Sequence, residues 1–320
     1  MDGGGISWFR YIFRLGFPRS LVPLDIPRGC AMMEGRKFVW KGWGLMRQFP
    51  IAVIQMASGQ DPEENLETLS AFVREAARRG ARAAALPESV SYRGVEMDRY
   101  AEEVPGGPTF QCLSALARET GLWLHGGSIY EKNPQGGRPY NCTMVIRPDG
   151  TLAAKYRKLH PFDVTVPGGG QMRESSQICP GDAIVTVETG ELGTWGLSVC
   201  YDLRFGELYR LMALEGAQVL FVPANFTLNT GKDHWEVLLR ARAIENGCYV
   251  VAPEQFGPGP EFPAYGRSMV VDPWGNVVAQ APDRPGVILA DIDLDYVEEI
   301  RRKVGTLSNR RTDRYRLERV

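Results

Sequence analysis

From Pro50 onward, short unbroken apolar runs alternate with segments whose apolar positions recur every three or four residues. The runs read as buried strands and the periodic segments as amphipathic helices, so the chain predicts an α/β fold. Residues 51–56 make the first strand. Asp61-Pro62-Glu63-Glu64 then opens a helix, with an Asp cap, Pro at the first position and acidic residues at the positive end of the helix dipole. Its stripe is Leu66, Leu69, Val73, Ala76 and Ala77, and Gly80 ends it. A strand over 83–86 stops at Pro87-Glu88. Thr109 is the predicted cap of a helix over 110–120; strands follow at 122–129 and 142–147, and Asp149-Gly150 turns the chain back into 152–156.

The second half repeats this order. GARAAALPES at 80–89 resembles GAQVLFVPAN at 216–225, and NCTMVIRPDGTLAA at 141–154 resembles GRSMVVDPWGNVVA at 266–279, with Met, Pro and Gly in register. An internal duplication of this kind predicts two similar sheets stacked face to face with helices outside, a four-layer α/β/β/α sandwich. In the repeat, the strands ending at Gln55-Met56 and Val199-Cys200 correspond, as do those ending at Glu88 and Asn225. These positions are expected to gather at one edge, where open α/β sheets place their ligands. A helix is predicted over 233–246, with FTLNTG at 226–231 as the polar loop before it. Residues 291–302 read as an acidic turn and a short helix, followed by an arginine-rich tail too polar to build a core of its own.

Composition narrows the function classes. The 320 residues carry 37 Lys+Arg against 38 Asp+Glu, so no net basic field invites nucleic acid. No window reaches the ~18 consecutive apolar residues of a membrane span. Three scattered histidines and six cysteines without a CxxC pair predict no metal site, and favour a reducing, cytoplasmic setting. Residues 1–48 stand apart as a basic leader with aromatics at Trp8, Phe9, Tyr11, Phe13 and Phe17. They read as a poorly ordered extension without a role in the chemistry; a targeting or membrane-surface segment, or an upstream extension before Met46, are the other readings. Residues 49–320 then form the functional domain.

The candidate chemistry centres on GLSVCYDLRF at 196–205. Cys200 sits where a buried strand gives way to polar residues, as a nucleophile would, although cysteine also packs as a small hydrophobe. A thiol needs a base or a cation beside it to react well. Glu88, behind Pro87, and Lys158, after the hairpin strand, can supply them; taken singly, the first could be a helix cap and the second a surface cation. A Cys200 pair with His160 or His234 is the rival arrangement. Asn225, Phe226 and Thr227, at a strand end on the same edge, are candidate substrate contacts. Arg204 could hold a substrate carboxylate, but Asp202 and Glu207 lie close enough in sequence to favour a structural ion pair.

PES at 87–89, YRKLHPFDVTVPG at 156–168 with ESSQICPGD at 174–182, and GLSVCYDLRFGELYR at 196–210 resemble the three signature blocks of the nitrilase superfamily of carbon-nitrogen hydrolases. HWEVLLRARAIENGCYVVAP and YGRSMVVDPWGNVVA resemble its deaminated-glutathione amidase and omega-amidase branch, whereas true nitrilases usually carry Cys-Trp in place of Cys200-Tyr201. The resemblance covers residues 50 to about 315. It implies the duplicated α/β/β/α sandwich and a Glu88–Lys158–Cys200 triad, with Glu174 in support and the Tyr201 backbone N–H receiving an oxyanion. It implies a cofactor-free amidase acting through a thioester on a terminal carboxamide, such as that of deaminated glutathione or a 2-oxo acid. Nitrile hydrolysis, N-carbamoyl cleavage, and a non-catalytic binding module of the same fold remain the alternatives. A homodimer or larger assembly is also implied, with the C-terminal tail crossing to a partner subunit.

Overall fold

The computed structural model describes residues 47–166 and 170–320. The expectation for the basic leader falls, up to residue 46, outside the described residues. In chain order the elements are β1 (Gln48–Gln55), α1 (Pro62–Arg78), β2 (Ala83–Ala85), α2 (Pro108–Thr120), β3 (Trp123–Glu131), β4 (Tyr140–Ile146) and β5 (Leu152–Arg157). A small hairpin, β6 (Asp163–Val166) and β7 (Gly170–Arg173), precedes β8 (Val185–Glu188), β9 (Thr194–Leu197), α3 (Gly206–Leu214), β10 (Val219–Phe221) and α4 (Leu228–Asn246). The chain closes with β11 (Tyr249–Ala252), the short pair β12 (Phe256–Gly257) and β13 (Ala264–Tyr265), then β14 (Met269–Val271), β15 (Val277–Gln280), β16 (Gly286–Asp293) and α5 (Leu294–Val304).

The duplication read from the sequence is visible in the strand order. One six-stranded sheet runs β16-β1-β2-β3-β4-β5 and the other β15-β14-β11-β10-β9-β8. Within each, three successive strands pair in parallel, β1 to β3 in one and β9 to β11 in the other, and two antiparallel strands follow. An additional antiparallel strand flanks the first strand of each repeat, β16 beside β1 and β8 beside β9.

Side-chain alternation along β1 sorts the layers. Ile51 and Val53 join one buried cluster with Trp195, Leu197 and Phe221 of the other sheet. Ala52 and Ile54 point the opposite way and pack with Leu69 and Val73 of α1 and Leu113 and Leu116 of α2. Trp123 meets Trp195 edge-on at 6.0 Å, and His125 stacks on Phe221 at 4.6 Å, across the sheet–sheet interface. On the outer face of the second sheet α3 lies close: a Cβ at Gly196 would sit 2.9 Å from Met212 Sδ. The result is the four-layer α/β/β/α sandwich.

Three local expectations change. The helix expected to start at Thr109 has Gly107 as its N-cap, and Thr109 lies inside the first turn, where its N–H and hydroxyl donate to Glu102 at 2.8 and 2.6 Å. A carboxylate from the preceding loop therefore meets the free N–H that a capping side chain would otherwise hold. The helix expected over 233–246 starts at Leu228 with Thr227 as N-cap, so most of the FTLNTG loop is its first turn. Asp291 lies in β16 opposite Pro50 rather than in a turn, and α5, the short helix expected, buries Leu294, Val297 and Ile300, the first two joining the cluster that holds Ile51, Val53 and Trp195. Among the described residues no helix is long and apolar enough to cross a membrane.

His125 is fully buried and burial pushes its pKa down to about 3. The unfolded chain binds a proton here below about pH 6.5 while the folded chain does not, so this residue makes stability fall as pH drops from there toward 3. Chemical denaturation of the wild type and of His125→Phe at pH 7 and pH 5 is expected to show the smaller acid-induced loss in the variant.

Candidate active site

The residues singled out from the sequence meet at the ends of the two sets of parallel strands. β2 continues through Leu86 and Pro87 to Glu88, and β10 continues through Pro223 to Asn225; each proline follows a buried strand and stops it. The chain leaves β9 at Leu197 and reaches Val199 in an extended conformation, and Cys200 turns abruptly to φ +49° at the start of a 3-10 helix, Cys200–Arg204. A left-handed residue other than glycine costs about 1–3 kcal/mol and is held only when its surroundings fix it. Here the Cys200 N–H donates to Pro223 O at 2.9 Å, and the Val199 N–H donates to Asp202 Oδ2 at 2.8 Å.

Glu88, 4 % exposed, is held at both oxygens. Oε1 accepts from Asn141 Nδ2 at 2.8 Å and Lys158 Nζ at 3.2 Å, and Oε2 accepts from the Asn225 N–H at 2.7 Å. Lys158 is 2 % exposed and reaches both oxygens of Glu174, at 3.1 and 2.9 Å. Glu174 in turn accepts from the Phe162 N–H. Glu88, Lys158, Glu174, Cys200, Tyr201, Asn225, Phe226 and Thr227 all line one cavity of about 330 Å³. Tyr201 is braced edge-on by Phe162 and Phe205, at 5.0 and 5.5 Å.

The electrostatics follow from burial and from two carboxylates sharing one ammonium. Burial alone would depress the Lys158 pKa, but Glu174 and Glu88 reverse this and hold it well above the usual lysine range. Burial and the nearby Glu88 charge push Glu174 up despite its contact with Lys158. Burial and Glu88 also push the Cys200 thiol well above its ordinary value, Lys158 acting in the other direction. The resting site therefore holds a protonated thiol beside a carboxylate and a fixed cation.

The histidines lie elsewhere. His160 Nδ1 is 2.7 Å from Asp202 Oδ1 and its ring stacks on Phe205, while His234 Nδ1 is 3.3 Å from Arg204. Neither lines the cavity. The ion pair expected between Arg204 and Asp202 or Glu207 is not formed among the described residues. Asp202 is fully buried and its oxygens are taken by Tyr156 OH, the Val199 N–H and His160, so Arg204 instead faces the rings of Tyr201 and Phe226 at 5.7 and 5.2 Å.

Several site residues escaped the sequence reading. Asn141, near the start of β4, carried no sign of chemistry, and Phe162, Arg173, Gln177 and Glu261 line the cavity from the hairpin and loops around it. Glu254 did carry a sign: Ala-Pro-Glu at 252–254 ends a buried strand just as Leu-Pro-Glu does at 86–88.

A cysteine, a carboxylate and an ammonium converging at the strand ends of a duplicated sandwich define a class, and comparison with known proteins gives the same one. The family model described as carbon-nitrogen hydrolase matches residues 50–302, and the chain belongs to that family, whose members hydrolyse carbon–nitrogen bonds. Among its relatives, deaminated glutathione amidase from Bos taurus is 44% identical over 271 residues, 83% of this chain and 83% of that protein. Omega-amidase NIT2 from Homo sapiens is 41% identical over 276 residues, 85% of this chain and 99% of that one. The structure of Saccharomyces cerevisiae Nit3, a member of branch 10 of the nitrilase superfamily, superposes with a TM-score of 0.76 at 32% identity, covering 82% of this chain and 97% of Nit3.

The thiol's environment is directly measurable. The difference in thiolate ultraviolet absorbance between wild type and Cys200→Ala is expected to titrate with a midpoint above 9.0. A midpoint below that value would mean that Lys158 outweighs burial and Glu88.

Proposed function

We propose that this protein is a cysteine-dependent amidase that hydrolyses the terminal carboxamide of a small acid or peptide-like substrate to the acid and ammonia, deaminated glutathione and 2-oxo acid omega-amides being the favoured class. The observation that carries the reading is the convergence of Cys200, Glu88 and Lys158 on one cavity, with the thiol protonated at rest and a carboxylate beside it. The names of the amidase relatives support the substrate class.

In this reading Glu88 takes the thiol proton as Cys200 Sγ attacks the carboxamide carbon. Lys158 Nζ and the Tyr201 N–H receive the developing oxyanion, contacts of a kind worth about 3 kcal/mol per donor when preorganised. Glu88 passes its proton to the amide nitrogen, the C–N bond breaks, and ammonia leaves a thioester on Cys200. Water then attacks that thioester, giving up a proton to Glu88; the C–S bond breaks, and Glu88 returns the proton to the sulfur. Glu174 fixes Lys158, which keeps the ammonium pointed into the cavity. Asn225, Phe226 and Thr227 contact the acyl group.

The described cysteines are all free, which supports a reducing, cytoplasmic setting. A homodimer or larger assembly belongs to the same proposal. It rests on the family resemblance; within one chain the tail already meets the body, with Arg319 Nε 3.2 Å from Glu215.

Ammonia release from a panel of small primary amides tests the reading. Turnover is expected with the monoamides of short dicarboxylic acids, without carbon dioxide, and Cys200→Ala is expected to lower it by about a thousand-fold or more. Glu88→Gln is expected to cost about 10²–10⁴-fold. A silent panel together with a Cys200 that no electrophile labels would favour the binding module.

A further inference from the structure

The short segment after β11 grips the site from behind. Gln255 Nε2 donates to the backbone carbonyl of Glu88 at 2.8 Å and to Ser58 Oγ at 2.9 Å. Glu254, fully buried, donates its N–H to Ser268 Oγ at 2.8 Å and accepts the Phe226 N–H on Oε1 at 2.6 Å. Its other oxygen, Oε2, is buried without a partner among the described residues. The preceding amide, that of Asn225, is the one that donates to Glu88 Oε2 at 2.7 Å. Two consecutive N–H groups are therefore held by two buried carboxyl groups, one from the end of each half's strand set.

We propose that Glu254 is a positioning residue for the reaction: by anchoring the Phe226 amide it fixes the plane of the 225–226 peptide, hence the direction of the Asn225 N–H and the placement of the Glu88 carboxylate beside Cys200. The inference rests on Glu88 acting as the base. The two amides share the Asn225 Cα, so releasing the second frees the rotation that would swing the first. The expense of burying a carboxyl group with an unsatisfied oxygen would be hard to account for if the segment served packing alone, since an apolar side chain would fit such a place at lower cost.

The charged neighbours say which form of Glu254 does this. Glu88, Cys200 and Arg93 are its charged or titratable neighbours, but the Arg93 guanidinium donates to Pro258 O and Phe262 O, at 3.0 and 3.1 Å, and not to Glu254. Burial first, and then Glu88, push the Glu254 carboxyl well above the usual carboxylate range. As a neutral acid it accepts the Phe226 N–H through Oε1 and adds no second negative charge behind Glu88, which already faces Lys158, Glu174 and Cys200. Glutamine has the same reach, the same acceptor and no charge.

The test compares Glu254→Asp, Glu254→Leu and Glu254→Gln in the full chain. It follows ammonia release from the monoamide of a short dicarboxylic acid, normalised to the fraction of Cys200 that an electrophile labels. Asp withdraws the acceptor by one methylene and Leu removes it; each is expected to lower kcat about ten-fold or more while KM stays within about three-fold. Gln is expected to recover most of the turnover. If Leu fails to fold, Asp still decides. An Asp variant with wild-type kcat overturns the proposal, as does a Gln variant no better than Asp. Turnover surviving in Glu88→Gln would instead remove the base assignment on which the proposal rests.

Discussion

Lys158 is an ammonium taken almost wholly out of water, and its compensation determines how the site is built. Moving such a group into a protein interior costs several kcal/mol, which is offset only where carboxylates and good geometry meet it. Glu88 and Glu174 supply that, from the end of β2 and from the 3-10 turn after β7, while the lysine itself follows β5. Three stretches far apart in sequence are thereby tied to one nitrogen. Loss of either acid would leave the cation under-compensated, so the pairing that holds the loops in place also keeps the charge pattern of the cavity.

Around that ion cluster, the duplication provides the frame. Each half ends its parallel strands at the same edge, so the second half's Cys200 and Asn225 arrive beside the first half's Glu88 without any long excursion of the chain. The prolines at 87 and 223 end the strands, and the carbonyl of Pro223 anchors the left-handed Cys200 through its N–H. Burial then acts on the thiol and the ammonium in opposite ways. Lys158 does not stabilise a free thiolate enough to overcome desolvation and the Glu88 charge, whereas the two carboxylates do stabilise the ammonium. A protonated thiol beside a carboxylate suits a reaction in which proton removal and attack occur together.

A run of buried hydrogen bonds behind Glu88 extends this logic across the sandwich. Gln55, at the end of the first half's β1, accepts the Ser268 N–H at 2.9 Å; Ser268 takes the Glu254 N–H; and Gln255 returns to Ser58 and the Glu88 carbonyl. These polar groups lie buried between the halves, where each must find a partner in the other. A chain of this kind couples the placement of Glu88 to the loop from the second half that carries Asn225 and Phe226.

Local pattern and the internal repeat determined the strand and helix sequence, the four layers, and the edge at which Glu88, Cys200 and Asn225 meet, because burial on one face imposes a period that can be read without coordinates. Lys158 was legible from its place after the hairpin strand, and Glu174 through the resemblance of its block to a known family. Other features were decided by tertiary structure. Thr109 lost its capping role to Glu102, Arg204 lost its expected partner to the closer donors around Asp202, and the turn expected at 291 became the end of a strand leading into the expected short helix. Asn141, Arg93 and the Glu254–Phe226 bond belong to the same group. In each case the partner comes from a part of the chain whose distance in space no periodicity encodes, and a buried donor or acceptor is satisfied by whatever the packing brings within reach.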